Sequence, residues 1–173
     1  MILWFAGAAF VAVWAVFRDT AIDYRLIMAG ALLPDLIDVG FGGARVAHTL
    51  AASATLLAAV MVATRGRRAL RRRLLALPIG TFLHLVFDAM WTRTATFWWP
   101  AFGVAFENDR LPSLDRLGPV VVAQEFLGLV ALVWVWQRFR LREPERRALF
   151  VRTGRLGRDL GPGPVHGVPG RRS

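Results

Sequence analysis

Five apolar segments punctuate the chain: Ile2–Phe17, Tyr24–Phe41, Val46–Ala63, Leu74–Trp91 and Pro119–Gln137. A helix crosses a hydrocarbon core of roughly 30 Å with about 20 residues rising 1.5 Å each, and these runs approach that length. Hydrophobic residues make up 55% of the 173 positions, more than one soluble domain of this size can readily cover. The expected fold is therefore all-α, a polytopic integral membrane helical bundle with four or five membrane segments. Ile2–Phe17 lacks the basic start and small-residue cleavage site of a signal peptide, so it is read as a span. The second segment is interrupted by "LLPDLID", which leaves open whether it crosses or re-enters.

The arginines orient the bundle. All 22 basic residues are Arg. "RGRRALRRR", Arg65–Arg73, holds six of them and no acid, and the tail from Arg138 holds ten against three acids. Arg18–Arg25 and Thr92–Gly118 balance acid against base. The positive-inside rule puts both basic regions in the cytoplasm, which runs the third segment inward, the fourth outward and the fifth inward. If the second segment crosses, the N-terminus is outside. Residues 1–137 are thus expected to form a transmembrane domain and 138–173 a basic cytoplasmic tail, disordered after about residue 160. The expected location is the cell inner membrane, multi-pass. The basic balance could suit nucleic acid, but its confinement to two inner loops makes the bilayer the expected partner. No cysteine is present, so a metal site must use His, carboxylates and water.

Polar residues inside apolar segments narrow the function. His84 and Asp88, in "FLHLVFDAMW", stand at i and i+4, about 6 Å apart on one helix face, a spacing that offers two ligands to one metal. A buried His–Asp hydrogen bond is the plainer alternative. Asp35 and Asp38, in "LLPDLIDVGF", share a face at i and i+3 if that segment is helical; otherwise Pro34 ends a helix and the aspartates cap the next turn. An ionised Asp at mid-span costs about 2.5–3.5 kcal/mol, so two demand a reason. His48 opens the third segment. With the orientation above, Asp35, Asp38, His48, His84 and Asp88 all approach the outer boundary from three segments. Their repulsion without a cation, and the donor types themselves, point to a divalent metal, zinc first and manganese or iron next.

Other residues are read by position. Arg45, near His48, is a candidate for holding a substrate phosphate, or a solvated loop charge. Glu125, about two turns into the fifth segment, is a candidate base or extra ligand, or equally a buried partner for an Arg or Gln. Asp38 is a second candidate base. "FWWP", Phe97–Pro100, reads as an interfacial aromatic belt, and His166 as a solvated tail residue.

"GALLPDLID", "RVAHTLAAS" and "GTFLHLVFDAMWTRTATFWWPAFG" together resemble the bacterial membrane-bound metal-dependent hydrolase family. The resemblance covers roughly residues 30–103. It implies that Asp35, Asp38, His48, His84 and Asp88 ligate metal. The chain departs from the family's pattern in having two residues between the aspartates and no His near its start.

The leading expectation is a hydrolase at the outer membrane boundary, acting on a lipid-linked ester or phosphoester. Two other classes compete. The same Asp and His residues could relay protons or ions in a small transporter, or the chain could be a non-enzymatic adaptor whose basic tail binds a cytoplasmic partner. Metal content, substrate turnover and flux in proteoliposomes separate the three.

Overall fold

The computed structural model describes residues 1–41, 43–104, 106 and 118–157. The tail after residue 160, His166 and most of the stretch before Gly118 lie outside the described residues. Those described are all helical in their regular structure, with no strand. The helices are α1 (Ile2–Phe17), α2 (Tyr24–Asp38), α3 (Leu50–Ala63), α4 (Arg68–Leu74), α5 (Ala76–Phe87), α6 (Thr94–Phe97), α7 (Gly118–Arg138) and α8 (Pro144–Thr153). Short 3-10 turns cover Val39–Phe41, Val46–His48 and Met90–Thr92.

The long helices alternate in direction. Glu125, near the start of α7, accepts the Leu3 N–H at the start of α1, and Phe5 lies against His84 near the end of α5. The opposite end gathers the start of α2, the arginines of α4 and the end of α8. There Arg73 Nε lies 2.9 Å from Asp23 Oδ2, and Tyr24 N–H donates to the Gly154 carbonyl at 2.9 Å. The described parts of both basic regions therefore occupy one end of the bundle, and Asp35, Asp38, His48, His84 and Asp88 occupy the other.

Two close helix contacts hold the arrangement. A Cβ on Gly30 would overlap the Leu77 carbonyl, and one on Gly80 would overlap that of Ile27, so α2 and α5 touch backbone to backbone. A Cβ on Gly7 would come within 2.6 Å of the Gly128 carbonyl oxygen, which pairs α1 with α7 in the same manner. Small residues at helix crossings let two backbones approach this closely. Between these pairs lies a core of Phe5, Phe10, Val13, Tyr24, Ile27 and Phe139, with Phe10 stacked on Tyr24 at 4.3 Å.

α2 runs through Pro34 without breaking, so the segment crosses the bundle as one helix and does not turn back at that residue. Proline lacks an N–H and leaves the carbonyl four residues earlier, that of Gly30, without its helical partner. The Thr81 hydroxyl of α5 lies 3.3 Å from that oxygen and 3.1 Å from the Leu77 carbonyl of its own helix, so its one proton is shared between the two.

α7, at 21 residues, is long and apolar enough to cross a membrane. The other apolar helices are shorter: α1 has 16 residues, α2 15, α3 14 and α5 12. Leu74–Trp91, read as one span, is interrupted at both ends. Leu75 separates α4 from α5, and the helix stops at Phe87, where Asp88 is the C-cap and Ala89 turns left-handed at φ 55°.

Candidate metal centre

α2, the turn before α3, and α5 each deliver one side chain to a single point. Asp35 Oδ1 lies 3.4 Å from His48 Nε2 and 3.7 Å from His84 Nε2, and the two imidazole nitrogens are 3.2 Å apart. Four-coordinate zinc, with ligands at about 2.0–2.1 Å, sets neighbouring ligand atoms about 3.3 Å apart, which matches these separations. Both imidazoles are fully buried, while Asp35 keeps 21% of its side chain exposed.

The far side of each ring fixes which nitrogen faces inward. His84 Nδ1 is 2.7 Å from the Ala31 carbonyl oxygen. A carbonyl only accepts, so Nδ1 carries the proton and Nε2 presents a lone pair. His48 Nδ1 is likewise 2.7 Å from Asp38 Oδ2 and donates to it. Asp35 Oδ1 is buried and makes no hydrogen bond. Two imidazole nitrogens and an orphaned carboxylate oxygen at such spacing need a cation or a shared proton among them. Asp35, His48 and His84 can hold a metal ion.

The local sequence accounts for each placement. Thr49 caps α3, its Oγ1 accepting the Ala52 N–H at 2.9 Å, and so the chain before it turns His48 inward. Asp38 organises the same turn by accepting the backbone N–H groups of Arg45 (2.7 Å) and Ala47 (3.3 Å). Phe5 lies against the His84 ring, centroids 4.0 Å apart, and limits its rotation.

The five ligands expected from sequence therefore divide. Asp35, His48 and His84 converge. Asp38 stands behind His48, its carboxylate engaged by the ring and two backbone donors, which is the position of a residue that orients a ligand and raises its basicity. Asp88 is buried at the end of α5, and the converging group does not include it. Glu125 accepts the Leu3 N–H at 3.0 Å and lies 3.8 Å from the Met1 ammonium, so it satisfies a donor that the first turn of α1 leaves open. Arg45 lines a cavity beside Asp38. The Ala31 carbonyl, Thr81 and Phe5 were not anticipated; the sole sequence signal for the first two is Pro34 facing a segment with a Thr and a His three residues apart.

Compared with known proteins, the chain matches no family model, no curated protein and no solved structure.

Proposed function

We propose that the protein is a membrane-embedded, metal-dependent hydrolase with its metal held by Asp35, His48 and His84. The observation that carries this is the convergence of both imidazole Nε2 atoms on Asp35 Oδ1, with both Nδ1 atoms already engaged. Two His and one carboxylate are the donor set of hydrolytic zinc sites and of open iron(II) sites, so zinc comes first, with iron or manganese next. Three protein ligands leave a position for water, and a bound cation there would lower the water's pKa toward about 7. Asp35 forms the one open edge of the cluster, so water and substrate arrive past it. Asp38 holds the His48 tautomer. The substrate class is a lipid-linked ester or phosphoester, split by addition of water. The motif order over residues 30–103, which resembles the bacterial membrane-bound metal-dependent hydrolases, supports the same reading.

The bilayer placement draws on the distribution of polarity. Buried positions include Asp23, Asp38, His48, Thr64, Thr81, His84 and Asp88, while Val122, Phe126, Val130 and Trp136 of α7 face outward with Phe126 63% exposed. An apolar exterior around polar interior groups suits lipid as solvent. The shorter helices span with tilt, end turns and local thinning of the bilayer. Because both arginine-rich regions share one end, that end is cytoplasmic and the metal centre faces outward.

The experiment is hydrolysis by the detergent-purified chain of phosphoester and carboxyl-ester lipids. Activity should disappear with a chelator and return with zinc, and His48→Ala should have none. Turnover that survives both chelation and His48→Ala would remove the proposal.

A further inference from the structure

A cavity of about 450 Å³ lies between α1, α3 and α5, within the range that accommodates an organic ligand. None of its lining side chains is charged, and Ser53 is the one polar residue among them. Val16, Leu57 and Phe82 line it while remaining 74%, 43% and 45% exposed, so it is a groove open to the apolar exterior of the bundle. From Leu50 to Leu57 along α3 it is about 10 Å long.

The two ends of the groove differ in charge. Phe17 and Pro78 line it where α1 stops and α5 starts, the end of the bundle that bears the arginines. Arg18 follows Phe17 directly and is exposed. α4 covers the same end, with Arg71 Nε 3.3 Å from the Thr64 hydroxyl beside α3 and Arg73 Nε on Asp23. Arg65, Arg67, Arg68 and Arg72 are exposed there, in a stretch without an acid. The nearby carboxylates are engaged: Asp19 accepts the Ala21 N–H at 2.7 Å, and Asp23 is met by Arg25 and Arg73. Toward Leu50 and Leu83, at the other end, the lining carries no charge.

An apolar channel that ends in a positive field orders its ligand, hydrocarbon within and anion at the basic end. A cytoplasmic-leaflet phospholipid has these parts in this order, phosphate at the surface and chain toward mid-bilayer. A helix from a second copy would fill the groove but leave the charge unused. We infer that this groove holds an acyl chain of an anionic phospholipid of the cytoplasmic leaflet, its headgroup drawn by the arginines at the mouth. The inference rests on the bilayer placement with the basic end inside, and on neither metal nor hydrolysis.

The test uses the full chain in nanodiscs doped with phosphatidylglycerol or phosphatidylcholine bearing a diazirine on the acyl chain. Labelled residues are mapped by mass spectrometry. Phosphatidylglycerol should label Leu57, Ile79 and Phe82 at least about fivefold more than phosphatidylcholine does, the factor that one Arg supplies near an anionic lipid. Raising the salt from about 0.05 to 0.5 M should move that ratio toward one, as should Arg18→Gln combined with Arg72→Gln. Ala54→Phe, which fills the groove, should remove labelling at Leu57 and Phe82 while Val133, exposed on α7, is still labelled. Ala12→Phe fills the groove from α1 if Ala54→Phe does not fold. An inserted wild type labelled equally by the two lipids, or a ratio indifferent to both salt and the arginine substitutions, would overturn the groove alone. An unlabelled groove in a dimer that Ala54→Phe dissociates would assign it to a second copy, against the inference. A chain that does not enter the nanodisc would remove the inference together with the bilayer placement.

Discussion

The His84 Nδ1–H donates to the Ala31 carbonyl oxygen across 2.7 Å, one residue past the Gly30 carbonyl that Pro34 deprives of its helical partner. The Gly30 and Ala31 carbonyls face α5, where Thr81 and His84, one turn apart, come within 3.3 and 2.7 Å of them. The backbone contact at Gly30 and Gly80 makes that reach possible.

This coupling predicts a thermodynamic cycle. Thr81→Val should destabilise the protein by about 1–3 kcal/mol, because it leaves the Gly30 carbonyl buried without a partner. In a Pro34→Ala background, the restored N–H recaptures that carbonyl, and Thr81→Val should cost far less. Equal costs in the two backgrounds, by thermal unfolding in detergent, would show that the hydroxyl does not serve the proline's orphan.

Asp38→Asn should keep the fold and weaken metal binding by about 10–100-fold, the usual effect of losing a carboxylate behind a ligating histidine. The amide oxygen still accepts from the backbone of Arg45 or Ala47. Asp38→Ala removes both acceptors and should also lower stability. Competition with a chelator of known affinity reads the first effect, and unfolding midpoints read the second. Unchanged affinity in Asp38→Asn would return Asp38 to a purely structural role.

Gly80→Val should separate α2 from α5, because the added atoms collide with backbone at Ile27. Overpacking of this kind costs about 1–3 kcal/mol. It should lower the unfolding temperature and metal content together, since Asp35 and His84 sit on the two displaced helices. Loss of stability with full metal content would mean that the centre tolerates the shift.

At the opposite end Asp23, just ahead of α2, supplies a pH-sensitive clasp. Burial on its own pushes its carboxyl pKa up, but the Arg25 and Arg73 guanidinium groups outweigh burial and hold it below the ordinary 3.8. A depressed folded-state pKa adds stability that is complete above the unfolded value and is lost as pH falls through the folded one. Asp23→Asn should therefore lower the unfolding temperature at neutral pH, and the gap from wild type should close as pH drops below about 3.8. A gap that stays constant down to pH 2 would contradict the ion-pair account.

Much of this arrangement is legible in the sequence, and the parts that are not share a cause. The crowding of Arg65–Arg73 and the tail to one end follows from charge, and the convergence of Asp35, His48 and His84 follows from that orientation. Helix limits are harder. Asp88 is the C-cap of α5 and keeps its helical N–H bond to the His84 carbonyl at 2.8 Å, yet its carboxylate is not among the converging atoms. Asp35 and Asp38 share a face of α2, yet the His48 ring comes in from another segment, with Asp35 near its Nε2 and Asp38 at its Nδ1. Which carboxylate faces the two Nε2 atoms is then a tertiary fact. Nothing in the one-letter code marks the Ala31 carbonyl as a ligand's anchor. Glu125 reads equally as a base, an extra ligand or a buried partner, and the structure places it against the start of α1, which pattern alone does not set beside α7.

The central claim is that Asp35, His48 and His84 hold a metal. Metal content by mass spectrometry, on the detergent-purified wild type beside Asp35→Asn and His84→Ala, tests it most directly. The account predicts near one equivalent of a single divalent metal in the wild type and almost none in either variant, with all three proteins folded. Metal retained at wild-type levels in His84→Ala, or a folded wild type that takes up no zinc, iron or manganese when each is supplied, would contradict it.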